Sequence, residues 1–236
     1  MNYARTLLRT GVAAAVEHAT VLSSLGCRTI VDIGANRGQF SLVASETCPA
    51  SRVIAFEPLP RPAQSFRRVF HCINNVTLYE SAIGVTSGAA KIHVSARDDS
   101  SSMLGITDLQ NSIFPGTAEA NTQTINVTTL ADVIGPKDIS SPALLKLDVQ
   151  GFELQALMGC QTLLTEFSWI YVECSFLELY TGQALAHEVI HWLAQRHFIL
   201  TGVYNVTYTR KGIAVQADFL FRKDDAGTVG SIRCEF

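Results

Sequence analysis

Apolar residues recur along this chain in two alternating rhythms. TIVDIG (29–34) is a short β-branched run closed by glycine, which reads as a buried strand, and RGQFSLVASETC (37–48) follows at helical period. RVIAFEP (52–58) is a second strand stopped by proline, and Arg61–Cys72 a second helix with Pro62 inside its first turn. VTLYESAIG (76–84) reads as a third strand, and AKIHVS (90–95) alternates like an exposed added strand. Residues 96–125 are rich in Ser, Thr, Asn, Asp and Gly without a period, which predicts a long lid or binding loop, or a disordered one. A short helix is expected near Leu130–Ile134. ALLKLDV (143–149), helical GFELQALMGCQTLL and SWIYVECS (168–175) then renew the strand–helix–strand order. Ala186–His197 reads as a helix, and Phe198–Tyr204 and Ile213–Phe221 as a closing strand pair.

Strands alternating with helices predict an α/β fold whose parallel sheet is covered by helices on both faces. No internal repeat or dividing linker interrupts residues 28–222, which read as one domain. Before it, Leu8, Val12, Ala15, Val16, Ala19 and Leu22 follow helical spacing, predicting an N-terminal leader helix within 1–27. Residues 223–236 read as a C-terminal tail.

Composition narrows the class. The chain has 236 residues, 47% hydrophobic and 17% charged, enough for a sizeable core. The net charge of −3 lacks the basic excess of a backbone-tracking nucleic-acid binder, so no nucleic-acid partner is expected. No apolar run is long enough for stable membrane insertion. Glu17 and His18 interrupt the apolar stretch before Cys27, which argues against a signal peptide. The six cysteines show no regular spacing and read as reduced thiols, so a cytoplasmic protein is expected. Three N-x-[ST] triplets are then chance matches.

Two stretches carry candidate chemistry. HEVIH (187–191) fits a zinc-hydrolase motif, with His197 at the spacing of a third ligand. Yet Ala194 stands where that signature needs a helix-breaking glycine, and no methionine follows. His187, Glu188, His191 and Gln195 instead form the polar side of an amphipathic helix, and no metal site is expected. The other stretch is VDIGANRG (31–38). Gly34 permits a tight turn, Gly38 a close approach of the helix start, and the exposed amides suit an adenosine-bearing ligand. Glu57, ending the next strand, can accept hydrogen bonds from both ribose hydroxyls. Asn36 and Gln39 occupy glycine positions of a dinucleotide fingerprint, which disfavours nicotinamide.

VDIGANRGQFS, AFEPLP, ESAIG, LLKLDVQGFELQAL and YVECSF, in that order, resemble the FkbM-type S-adenosylmethionine-dependent methyltransferases. The resemblance spans roughly residues 28–222. It implies a class I methyltransferase (Rossmann-like) fold, a seven-stranded, mainly parallel sheet with a reversed last strand. It also implies S-adenosyl-L-methionine as cofactor and a hydroxyl acceptor on a small molecule, glycan, glycolipid or polyketide. By that resemblance Asp32, Gly34, Ala35, Asn36 and Gly38 line the cofactor's methionine end. Glu57 and Pro58 take the ribose, Ser81, Ala82 and Ile83 flank the adenine, and Ser102 closes over the site. Gln150 departs from the family's usual Glu.

In an open parallel sheet the ligand sits beyond the strands' carboxyl ends. Asp148 is there, a candidate base or substrate ligand that also borders the cofactor, with Lys146 two residues earlier on the same face. Glu173 ends the next strand as a substrate-side acid. Glu153, in the following helix's first turn, and His187 are further candidates. Two other functions remain on the sequence alone: a zinc-dependent hydrolase using HEVIH, and a nucleotide-binding domain without catalysis. The acceptor's identity and the oligomeric state are not encoded in any motif.

Overall fold

The computed structural model describes residues 3–224. Past Asp224 the expected tail, with Cys234, lies outside the described residues. Ten strands follow one another: β1 (Thr29–Ile33), β2 (Arg52–Phe56), β3 (Val76–Tyr79), β4 (Ala82–Ile83) and β5 (Gly88–Ser95), then β6 (Glu119–Thr128), β7 (Ala143–Leu147), β8 (Trp169–Ser175), β9 (Phe198–Tyr208) and β10 (Ala214–Lys223). The helices are α1 (Tyr3–Thr10), α2 (Ala19–Leu25), α3 (Gln39–Thr47), α4 (Pro60–Phe70), α5 (Asp108–Ile113), α6 (Glu153–Gly159) and α7 (Ala186–Ala194).

Seven strands form the main sheet in the order β3-β2-β1-β7-β8-β10-β9. All neighbours are parallel except β10, which runs antiparallel to both β8 and β9. The expected mainly parallel sheet with a reversed last strand is therefore present, and that last strand inserts between its two predecessors. β1 and β7 are buried at every position, as strands covered on both faces must be. Alternate residues feed two cores. Val31, Ile33, Leu145 and Val172 meet Leu157 of α6 and Leu193 of α7 on one face. Ile30, Leu144 and Tyr171 meet Leu22 of α2 and Phe40 and Val43 of α3 on the other.

Three expectations are corrected. The single leader helix is two helices, broken at Gly11 (φ +72°) and joined through a 3-10 turn at Val16–His18. Leu8 and Val16, assigned to its apolar face, are 89% and 55% exposed. The third strand ends at Tyr79, and Ala82–Ile83 leaves it to pair with β6 in a second, three-stranded sheet, β4-β6-β5. The long loop is in large part structured: it holds α5 and the first half of β6, which pairs antiparallel with β5. Within β6 only Ile125 and Val127 are buried, so no hydrophobic alternation marks the strand. These two residues join Leu59 and Ile92 in a small core that seats the second sheet beside the end of β2.

Candidate active site

Parallel pairing sets Asp32 of β1 directly beside Lys146 of β7. Both are buried, and Lys146 Nζ lies 3.0 Å from Asp32 Oδ1. Ser41 Oγ donates to Asp32 Oδ2 at 2.7 Å, and Lys146 Nζ donates to the Gly34 carbonyl at 3.3 Å. Burial disfavours the lysine's charge, but Asp32 and Asp148 outweigh it and raise the Lys146 pKa. The ammonium also sits 5.2 Å above the Phe40 ring. Asp32 and Lys146 thus make an internal ion pair beneath the end of β1.

The glycines of the following turn are required by packing. Gly34 has φ +78°, and a Cβ there would lie 1.9 Å from the Asp148 carbonyl oxygen. Gly38 has φ +93°, and its Cβ would lie 2.6 Å from the Phe70 ring. Gly38 therefore admits α4 against the start of α3; it does not line the cleft. Glu57, one residue past β2, is buried, and both its oxygens accept backbone N–H groups: Asn36 at 2.9 Å and Leu59 at 2.8 Å. Burial pushes its carboxyl up to about 7 against those donors.

These groups border a cleft of about 480 Å3 at the carboxyl ends of the parallel strands. Gly34, Ala35, Asn36, Glu57 and Pro58 line one side, with Ser81, Ala82 and Ile83 next to them. Ser102, from the segment inserted between β4 and β7, lines it as well, its N–H and carbonyl both paired with His93 of β5. Arg37 fastens the insert to the turn through Asp98 at 2.6 Å.

The other side carries Lys146, Asp148 and Glu173. Gln150 connects the two acids: its Nε2 donates to Asp148 Oδ1 at 2.7 Å and to Glu173 Oε2 at 3.1 Å. The Tyr180 hydroxyl donates to Gln150 Oε1 at 2.7 Å, which orients the amide, and also meets the Ser100 carbonyl at 3.2 Å. Gln216 Nε2 donates to Glu173 Oε1 at 2.6 Å. Burial, with Asp148 and Asp218 nearby, raises the Glu173 carboxyl well above the ordinary range. Glu153 faces away from the cleft: it accepts the Val149 and Gly151 N–H groups at 3.1 and 3.0 Å and holds the turn after β7.

The structure therefore brings together Gly34, Ala35, Asn36, Glu57, Pro58, the 81–83 segment, Ser102, Lys146, Asp148 and Glu173. Asp32 and Gly38 stand behind them. Among the cleft residues that escaped the sequence reading are His18, Asn205, Thr207 and Asp218. They come from the broken leader and from the closing strand pair, where no spacing motif signals them. HEVIH lies elsewhere on an exposed helix face: Glu188 accepts the Leu185 N–H at 2.9 Å, and His191 pairs with Gln195. His187 and His197 are exposed.

A model of the methyltransferase FkbM domain matches residues 32–200. Among characterised proteins, the chain is 29% identical over 168 residues to the 2-O-methyltransferase NoeI of Sinorhizobium fredii, covering 65% of this chain and 66% of that protein. It is 31% identical over 157 residues to the 31-O-demethyl-FK506 methyltransferase FkbM of Streptomyces tacrolimicus, covering 56% of this chain and 59% of that one. The matches thus span slightly under two thirds of these relatives' own length. The fold is shared with the crystal structure of methyltransferase FkbM from Methylobacillus flagellatus (TM-score 0.53, 15% identity, 84% of this chain and 47% of that one). It is also shared with Sp1610 of Streptococcus pneumoniae, a putative tRNA (m1A22) methyltransferase (TM-score 0.51, 10% identity, 89% of this chain and 73% of that one). With the family model matching well over half of its length, this chain belongs to the FkbM methyltransferase family.

Proposed function

We propose that the protein is an S-adenosylmethionine-dependent O-methyltransferase acting on a hydroxyl of a small molecule. The observation that carries the reading is one cleft holding Glu57 at the end of β2 and Asp148 at the end of β7. The residues fit the cofactor. Glu57 supplies carboxylate acceptor capacity for ribose hydroxyls, and Ile83, Val149 and Phe152 an apolar bed for adenine. The Gly34–Asn36 turn and Asp148 would flank the methionine end, Pro58 the ribose, Ser81 and Ala82 the adenine, with Ser102 closing over them. When bound, S-adenosylmethionine supplies an electrophilic methyl carbon.

The chain's own residues must then align a hydroxyl and remove its proton. Asp148, with its side chain 39% exposed to the cleft, faces the acceptor and takes that proton. Gln150 fixes its carboxylate, and Lys146 Nζ stands 3.8 Å from Asp148 Oδ2. Glu173 lies on the acceptor side beyond it. The acids lining the cleft would repel nucleic-acid phosphates, which supports a small-molecule, glycan, glycolipid or polyketide acceptor. The five described cysteines are free thiols, which supports a reducing, cytoplasmic setting.

The test is mass spectrometry of reactions with labelled cofactor and a panel of glycosides, glycolipids and polyketides, read as a labelled methyl on an acceptor oxygen. Calorimetry giving no heat with S-adenosylmethionine or S-adenosylhomocysteine would remove the reading.

A further inference from the structure

The side of the cleft above β8, β10 and β9 is finished by residues that the family match does not include. His18 precedes the matched span, and Asn205, Thr207 and Asp218 follow it. His18, Asn205 and Asp218 form one network through Tyr171, and Thr207 lines the cleft beside it. The Tyr171 hydroxyl donates to Asp218 Oδ2 at 3.2 Å, and Asn205 Nδ2 donates to the same oxygen at 2.7 Å. His18 Nδ1 lies 3.1 Å from the Tyr171 hydroxyl and 3.6 Å from Asp218 Oδ2. Its ring stands edge-on to Phe40 and Tyr171, which closes this end of the cleft.

Charge here is one-sided. Glu17, Glu57, Asp99, Asp148, Glu173 and Asp218 line the cleft against a single lysine and a single histidine. That lysine is already paired with Asp32. Glu173 and Asp218 face each other in the β8–β10 register, and their polar contacts are amides, a phenol and His18. Burial raises both carboxyls, each further raised by Asp148. The cofactor's own cations would be flanked by the β1 turn and by Asp148 of β7; with strands about 4.8 Å apart, β8 and β10 lie roughly 5 and 10 Å beyond β7.

We propose that His18, Asn205, Thr207 and Asp218, with Glu173, form the acceptor-selecting wall, and that it takes a hydroxyl compound bearing a protonated amine. The ammonium sits between Glu173 and Asp218 and restores the charge balance of two partly desolvated carboxylates. The hydroxyl is then presented toward Asp148, so the proposal rests on the methyltransferase reading. Phosphorylated or carboxylated acceptors meet repulsion from the same acids.

Three matched probes test it: glucosamine, glucose and glucuronate, titrated by ligand-observed NMR into the full chain saturated with S-adenosylhomocysteine. Glucosamine should bind about tenfold or more tighter than glucose, the scale of a charge-assisted hydrogen bond, and glucuronate weakest. Asp218→Asn and Glu173→Gln, made separately so that one folded variant suffices, should each shrink that preference severalfold. Equal binding of the three probes, no binding of any, or a preference unchanged in a folded variant overturns the proposal. Calorimetry with S-adenosylhomocysteine separates the two readings. Cofactor binding without amine preference removes only this wall's selectivity; amine preference without cofactor binding removes methyl transfer and leaves the cation subsite.

Discussion

Glu57 has two tasks: it ties Asn36 to Leu59, and it offers its remaining acceptor capacity to the cleft. Glu57→Gln should weaken S-adenosylhomocysteine binding about ten- to a hundredfold by calorimetry, the value of a charge-assisted hydrogen bond. Asp148→Asn keeps shape but removes the proposed proton acceptor. With a turned-over acceptor, kcat should fall about a hundred- to ten-thousandfold while cofactor affinity changes far less. Nearly full turnover at saturating acceptor would reject Asp148 as the base. Glu153 predicts a pH effect on stability. Burial raises its carboxyl from 4.5 to about 7, so the folded chain holds a proton that the unfolded chain has lost. Its contribution is therefore fully present below about 4.5 and is lost as pH rises through about 7, by roughly 3 kcal/mol. In Glu153→Gln, urea midpoints at pH 5 and pH 8 should lie closer together than in the unmodified protein.

At the scale of elements, the turn after β1 is held by backbone sterics. Gly34→Ala would drive a methyl into the Asp148 carbonyl, in a left-handed conformation that disfavours any side chain. It should reduce thermal stability by about 1–3 kcal/mol and, by displacing Asp148, lower turnover in whatever fraction folds. The same turn shows why some elements were legible and others were not. β1, β2, β7 and β8 are covered on both faces, so their apolar runs stand out. β6 packs through Ile125 and Val127 only, and EANTQ gives a reader of hydrophobicity nothing to follow. In the leader, helical spacing continued across Gly11, where the chain turns instead. On the cofactor side, strand-end acids and glycines announce themselves by position. Asp218 does not, because its role depends on β10 entering the sheet beside β8, a choice that no local spacing records.

Across the whole molecule, the part of the insert between Asp98 and Thr107 borders the cleft and is fastened on both sides. Arg37 holds Asp98, and the Ile106–Tyr180 bridge and the Thr107–Leu179 hydrogen bonds hold its far side. Asp99, Ser101, Ser102 and Met103 between those ties line the cleft. Addition of S-adenosylhomocysteine should therefore slow backbone amide exchange across 99–104 more than in α7, read by hydrogen-exchange mass spectrometry. Unchanged exchange in that segment would separate the insert from the cofactor.

The wall joining His18 to Asn205 has a consequence in time. The two residues are 187 positions apart, and Asp218, their shared partner, sits on a strand inserted between β8 and β9. At about 5–20 residues per second, a ribosome needs roughly ten to forty seconds to make the intervening chain. Throughout that interval the leader has no wall to complete, and β8, once made, keeps an open edge until β10 follows. A nascent chain can thus build the strands proposed to hold the cofactor, from β1 to β7, before the proposed acceptor wall exists. Catalytic competence arrives late in synthesis, when the antiparallel strand closes the sheet.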